Sequence, residues 1–119
     1  MSGTLYERLG GEKGISAIAT DIIHNHLKNP KVKVRFQNVD TDKLHRLAVE
    51  FFCMGAGGPQ KYSGRDMKQA HTSMNISEEE FLAVTDDILA ALDKHNINGS
   101  TKDEVLGILY SLKGEIIRL

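Results

Sequence analysis

The apolar residues of this chain recur at helical spacing along most of its length, and this pattern predicts an all-α fold. The clearest run follows a spacing of three and four residues, which places its members on one helix face ending near Asn29-Pro30. This run comprises Ile15, Ile18, Ala19, Ile22, Ile23, His26 and Leu27. A second run, ending before Gly55, comprises Leu44, Leu47, Ala48, Phe51 and Phe52. No segment alternates with the period of a strand, so no strand is expected.

Three capping-box patterns predict further helix starts. The first, Thr4 to Glu7, precedes Gly10-Gly11 and predicts a short helix. The second, Ser77 to Glu80, precedes an apolar stripe made of Phe81, Val84, Ile88 and Leu92. The third, Thr101 to Glu104, precedes a stripe made of Val105, Leu109, Leu112 and Ile116.

A stretch rich in glycine and proline, from Gly57 to Gly64, interrupts the helical pattern. It leads into residues 65–71, which can form only a short helix. Such an irregular, glycine-rich connection is not expected in a regular four-helix bundle. We therefore expect one all-α domain over residues 1–119, with helices of unequal length and irregular connections.

Composition limits the classes of function. With 119 residues the chain has the size of one domain, and its 15 Lys and Arg nearly balance 16 Asp and Glu. The charges form no basic stripe, so neither a nucleic-acid nor a membrane partner is expected. Cys53 is the only cysteine, the first residues predict no leader, and no apolar run has the length of a membrane helix. These features favour a soluble cytoplasmic protein.

The five histidines are the main chemical resource, because the chain has no hydrolase or phosphate-binding motif. His24 and His95 have the context of surface residues. His26 continues the first apolar stripe near a helix end, where an imidazolium interacts favourably with the helix dipole, so we interpret it as structural. His45 lies on the flank of the second stripe and is a weak ligand candidate.

His71 has an unusual context, since it ends a short helix that follows the glycine loop. One imidazole cannot hold a structural zinc ion, which takes four protein ligands, but it is sufficient for haem. The phenylalanines and aliphatic residues could supply a flat apolar slot. A haem-free helical interaction module stays open as an alternative, because core packing alone explains every apolar stripe.

Several motifs occur in an order that resembles one known family. They are Thr4-Leu5-Tyr6-Glu7-Arg8-Leu9-Gly10-Gly11, Phe36, Gly57-Gly58, Lys61-Tyr62-Ser63-Gly64-Arg65-Asp66-Met67, and Ala70-His71. In this order they resemble the truncated, two-over-two haemoglobins, and most closely their first group. The motifs span nearly the whole chain.

The resemblance implies a two-over-two helical sandwich that holds haem b between the helix Leu44–Phe52 and the short helix of His71. By this resemblance His71 binds the iron through Nε2, while a backbone carbonyl or water holds its Nδ1–H. No histidine follows His95, so the haem is expected to be non-covalent. The resemblance also implies that Phe36 stacks on the porphyrin and that Tyr62 and Met67 lie on its proximal or edge side. Phe51 and Phe52 would form the cavity wall, with Phe52 at the place of a tunnel-gating phenylalanine, and Phe81 and Ile88 would lie at the back of the pocket. The cations expected near the haem propionates are Lys43, Lys61 and Arg65.

The distal positions depart from the family, which usually places Tyr, Gln or His there. In this chain they are Ile23, Leu44, Leu47 and Ala48. The loss of a charge-assisted hydrogen bond of roughly 1.5–3 kcal/mol predicts oxygen release faster by about one to two orders of magnitude. Leu47 stands where some relatives place a distal iron-binding histidine, so five-coordinate ferrous haem is expected unless His45 reaches the iron.

The resemblance implies reversible binding of oxygen, carbon monoxide or nitric oxide, for oxygen transport, storage or sensing. The alternative function is nitric oxide dioxygenation. That activity would depend on an external reductase, because the chain has no flavin or nicotinamide motif. A monomer or weak dimer is expected.

Overall fold

The computed structural model describes residues 3–118, so positions 1, 2 and 119 of the predicted domain lie outside the described residues. The helices in this range are α1 (Leu5–Arg8), α2 (Gly11–Lys28), α3 (Lys33–Phe36), α4 (Thr41–Gly55), α5 (Met67–His71), α6 (Glu78–Lys94), α7 (Gly99–Ser111) and a 3₁₀ helix (Lys113–Glu115). Residues 3–118 contain no strand, and an isolated bridge joins Ile76 to Ile117. The predicted all-α fold is therefore confirmed.

Among the described helices, none combines the length and the apolarity that crossing a bilayer requires.

Two packed helix pairs form the body of the fold. α2 packs against both α4 and α6, and α6 packs against α7. This is the two-over-two arrangement that the resemblance implies. The core lies where the pairs meet, and its buried members are Leu9, Ile15, Ile18, Ile22, Cys53, Ala56, Ile88, Ala91, Leu92 and Val105.

The expected helix starts are confirmed at two of three places. Thr4 and Ser77 each form a complete capping box with the glutamate three residues later. The capping box expected at Thr101 is wrong, because α7 already begins at Gly99. Thr101 therefore lies inside the first turn, and its hydroxyl accepts a hydrogen bond from Arg8 Nη1 at 3.1 Å.

Two other expectations need correction, and one short helix was missed. α7 ends at Ser111, so Ile116 does not extend its apolar stripe and instead follows the 3₁₀ helix. Leu27, expected on the buried face of α2, is 37% exposed, and in this last turn the buried position is that of His26. α3 was not predicted, because four residues are too few to show a helical period.

The apolar face of α4 is covered less completely than those of α2 and α6. Within α4 only Cys53 is buried, whereas α2 and α6 each bury six or more residues. The half-buried apolar residues of α4 are Leu44, Leu47, Ala48, Val49, Phe51 and Phe52. Partly exposed apolar surface is unfavourable in water, so this face of α4 is a candidate surface for a binding site.

Gly14→Ala is expected to destabilise the fold by about 1–3 kcal/mol. A Cβ at this position would lie 2.3 Å from the carbonyl oxygen of Leu9, where α1 passes into α2, so backbone must move. Gly107→Ala in α7 is the matched control. It meets nothing within 4 Å and is expected to stabilise the fold by about 0.5–1 kcal/mol. Urea unfolding of both variants tests the pair, and equal shifts would contradict the close approach.

Candidate functional site

His71 borders a cavity of about 190 Å³ between α3, α5, α6 and the C-terminal part of the chain. Its lining is almost entirely apolar. Four residues predicted for the pocket meet here, namely Phe36, His71, Phe81 and Ile88. The lining residues that sequence reasoning did not assign to the pocket are Val32, Arg35, Met74, Ile76, Glu80, Val84, Thr85, Leu109 and Ile116. Val84 could have been found, because it lies on the same helical stripe as Phe81 and Ile88.

The imidazole of His71 has a defined orientation. Its Nδ1–H donates to the carbonyl oxygen of Met67 at 2.7 Å, one turn earlier in α5. Because that bond places the proton on Nδ1, Nε2 keeps its lone pair. The ring is half-buried beside the cavity, which makes Nε2 a suitable ligand atom for a metal carried by an apolar cofactor.

The glycine-rich loop is tied to α4 before it reaches α5. Ser63 donates from its backbone N and its hydroxyl to Glu50 Oε1, at 2.9 and 2.6 Å. These bonds lower the pKa of Glu50. Tyr62 packs edge-on against Phe51 at 5.3 Å between ring centroids, and its hydroxyl donates to the Arg65 carbonyl at 2.6 Å. These contacts fix the path of the loop, which places α5 opposite α4.

A wide groove of about 890 Å³ lies between α4 and α5. Leu44 and Leu47 supply apolar surface, and the predicted cations Lys43 and Arg65 lie in the same groove. The remaining lining residues are Val39, Asp40, Arg46, Ser63, Gly64 and Gln69. Val39 is three residues from Phe36 and Gln69 is two from His71, so the same two segments border both this groove and the cavity beside His71.

Ile23, Ala48, Phe52 and Met67 line neither this groove nor the cavity beside His71. Phe52 and Ile88 both face a small internal space of the core, so Ile88 borders that space as well as the cavity beside His71. Ala48 and Met67 are half-buried. Ile23 is buried and lines a separate shallow pocket between α2 and the start of α4, which it shares with His24 and His45.

His45 is directed towards α2. Its Nε2 donates to the Ser16 carbonyl at 3.0 Å and lies 3.1 Å from the Thr20 hydroxyl. These contacts hold α4 against α2. The ring therefore lies on the α2 side of α4 and not in the cavity beside His71.

An ion pair borders the apolar cavity and was not visible in the sequence. The guanidinium of Arg35 contacts Glu80 with two nitrogens, Nε to Oε2 and Nη2 to Oε1, the latter at 3.0 Å. Glu80 Oε1 also accepts from the backbone N of Ser77. The hydrogen bonds from Arg35 lower the pKa of Glu80 from 4.5 to about 2. This pair joins α3, which bears Phe36, to the first turn of α6.

Comparisons with known proteins agree along the whole described chain. A family profile described as bacterial-like globin matches residues 4–118. The group 1 truncated hemoglobin of Tetrahymena pyriformis is 28% identical over 114 residues, which cover 96% of this chain and 94% of that relative. The group 1 truncated hemoglobin of a Synechocystis species is 30% identical over 109 residues, with 88% of each chain covered.

Solved structures give the same result. The crystal structure of the T. pyriformis truncated hemoglobin in its Fe(III) form matches with a TM-score of 0.94 and 27% identity, covering 98% of this chain and 100% of that one. The 2/2 hemoglobin of a Synechococcus species, in the cyanomet state with covalently attached heme, matches with a TM-score of 0.86 and 25% identity. That match covers 93% of this chain and 94% of the other.

Glu80→Gln is expected to reduce the sensitivity of folding to acid. In the wild type the pKa of Glu80 is about 2 in the folded protein and near 4.5 when unfolded. The stabilisation by Glu80 is therefore fully present above pH 4.5 and is lost as the pH falls towards 2. Unfolding free energies measured across this range should fall less steeply in the variant. The control is Glu79→Gln, whose side chain is 74% exposed; an equal effect there would contradict the assignment to Arg35 and Glu80.

Proposed function

Because this chain belongs to the bacterial-like globin family, as a truncated haemoglobin of group I, we propose that it binds haem b non-covalently through His71 and takes up diatomic gases reversibly. The proposed role is transport, storage or sensing of oxygen. The assignment of His71 as the iron ligand rests on the hydrogen bonding of its imidazole ring. Nδ1–H donates to the Met67 carbonyl, which leaves Nε2 as the ligand atom of a residue that lines an apolar cavity.

The space between α4 and α5 fits a porphyrin in size and chemistry. Pockets for small molecules and cofactors typically measure about 300–1,000 Å³. The cavity beside His71 is smaller, at about 190 Å³, but the adjoining groove measures about 890 Å³. Leu44 and Leu47 supply the apolar surface of α4 in this groove, and Lys43 and Arg65 supply cations for two propionates.

Each element of the site has a proposed task. When bound, haem would supply an iron atom able to bind a diatomic gas. The Met67 carbonyl fixes the tautomer of His71 and increases its electron donation. Phe36 provides a flat apolar surface. Leu44 and Leu47 exclude water from the distal side and offer no hydrogen-bond donor, which favours rapid release of oxygen.

His71→Gly tests the ligand assignment. The purified wild-type protein, reconstituted with haem, is expected to show a Soret band that shifts on addition of carbon monoxide. The variant should bind haem at least about tenfold more weakly, because it loses its iron ligand, and added imidazole should restore the wild-type spectrum. His24→Ala, an exposed site on α2, is the control. A wild type without a Soret band, or a His71→Gly variant with an unchanged spectrum, would overturn the proposal.

Leu44→Gln tests the distal side. A glutamine amide on this face of α4 supplies the donor that the wild type lacks, so oxygen dissociation from the ferrous protein should slow by about one to two orders of magnitude. Stopped-flow displacement of oxygen by carbon monoxide measures the rate. Val34→Gln, at a side chain that is 72% exposed, should leave it unchanged. An unchanged rate in Leu44→Gln would show that Leu44 does not face the bound gas.

A further inference from the structure

His26 is a buried polar residue at the junction of three helices. It lies in α2 and is 6% exposed, and its Nδ1–H donates to Asp87 Oδ2 of α6 at 2.8 Å. Asp87 is itself buried, at 9% exposure. A buried carboxylate is stable only when it is well hydrogen-bonded, so the surroundings of this pair decide what it does.

Asp87 is held from several directions. Asn29 Nδ2 lies 3.1 and 3.2 Å from its two carboxylate oxygens. Asn25 donates to the backbone carbonyl of Asp87 at 3.0 Å. Asn25 lies on α2 and Asn29 caps its C-terminal end, so two residues of α2 and the residue that follows it converge on one residue of α6. The imidazole of His26 therefore has a fixed plane and little freedom to rotate.

The fixed ring of His26 stacks on Phe36. The ring centroids are 4.8 Å apart and the planes differ by 19°. Phe36 is the last residue of α3, a helix of only four residues that cannot hold its own geometry. A second contact that holds α3 is the ion pair between Arg35 and Glu80. Phe36 in turn lines the cavity beside His71.

We propose that His26 is a positioning residue, which sets the plane of Phe36 against the haem and is itself held by Asp87 and Asn29. This inference rests on the proposed haem-binding function. An aliphatic residue would fill the same volume but would not define the plane of an aromatic ring. Burial lowers the pKa of His26, although the hydrogen bond with Asp87 opposes this shift.

Two variants separate the ring of His26 from its hydrogen bond. His26→Phe keeps an aromatic ring against Phe36 and removes the donor to Asp87. His26→Asn keeps an amide near the position of Nδ1 and removes the ring. Val105→Ala, in the buried core on α7, calibrates how haem retention responds to a general loss of stability. Unfolding free energy of the haem-free protein, the rate of haem loss to an excess of apomyoglobin, and the proton NMR resonances of the Phe36 ring are measured for each.

The expected result is a split between stability and haem retention. His26→Phe should have a lower free energy of unfolding. Its rate of haem loss should nevertheless follow the relation between stability and haem loss that Val105→Ala defines, and its Phe36 resonances should stay dispersed. His26→Asn should release haem up to about tenfold faster than its own stability predicts, and the Phe36 resonances should collapse towards random-coil values.

Two failures can be told apart. If haem loss follows stability along one line for all three variants, His26 is merely structural and the positioning role is overturned. If the wild-type protein takes up no haem, the proposed function itself is overturned, and the Phe36 resonances still report whether His26 orders that ring.

Discussion

The burial of α2 between α4 and α6 is the packing on which the rest of the structure depends. Its apolar residues pack into the core between these two helices, and two hydrogen bonds attach α2 to its neighbours. His45 of α4 donates to the Ser16 carbonyl, and His26 donates to Asp87 of α6. Because these attachments fix α4 and α6 relative to α2, the space between α4 and the shorter elements is preserved and does not collapse.

The site forms where regular packing ends. α5 and α3 have five and four residues, so neither is stable by its own backbone hydrogen bonds. Each is held by side chains from longer helices. Glu50 of α4 binds the loop before α5, and Glu80 and His26 hold α3. The functional side chains of both short helices therefore depend on rigid neighbours, which gives the site a defined shape without long secondary structure of its own.

The sequence predicted what depends on local pattern. The stripes of α2 and α6, the caps at Thr4 and Ser77, and the unusual context of His71 all follow from neighbours within a few residues. Contacts between distant segments left no local signal. Arg35 and Glu80 are 45 residues apart, and His26 and Asp87 are 61 apart, so neither pair could be assigned before the helices were packed. The helix start predicted at Thr101 is wrong because the capping motif lies inside a helix that has already begun at Gly99.

The C-terminal segment completes the enclosure of His71. The 3₁₀ helix packs on α5, and the backbone N of Arg118 donates to the Ile76 carbonyl at 2.9 Å. Ile116 lies between these two contacts and lines the cavity. α5 is thus attached to α4 through the loop that precedes it and to the chain end through the segment that follows it. Since both attachments are needed to place one imidazole, the position of His71 is a property of the whole fold, although the residue itself could be found in the sequence.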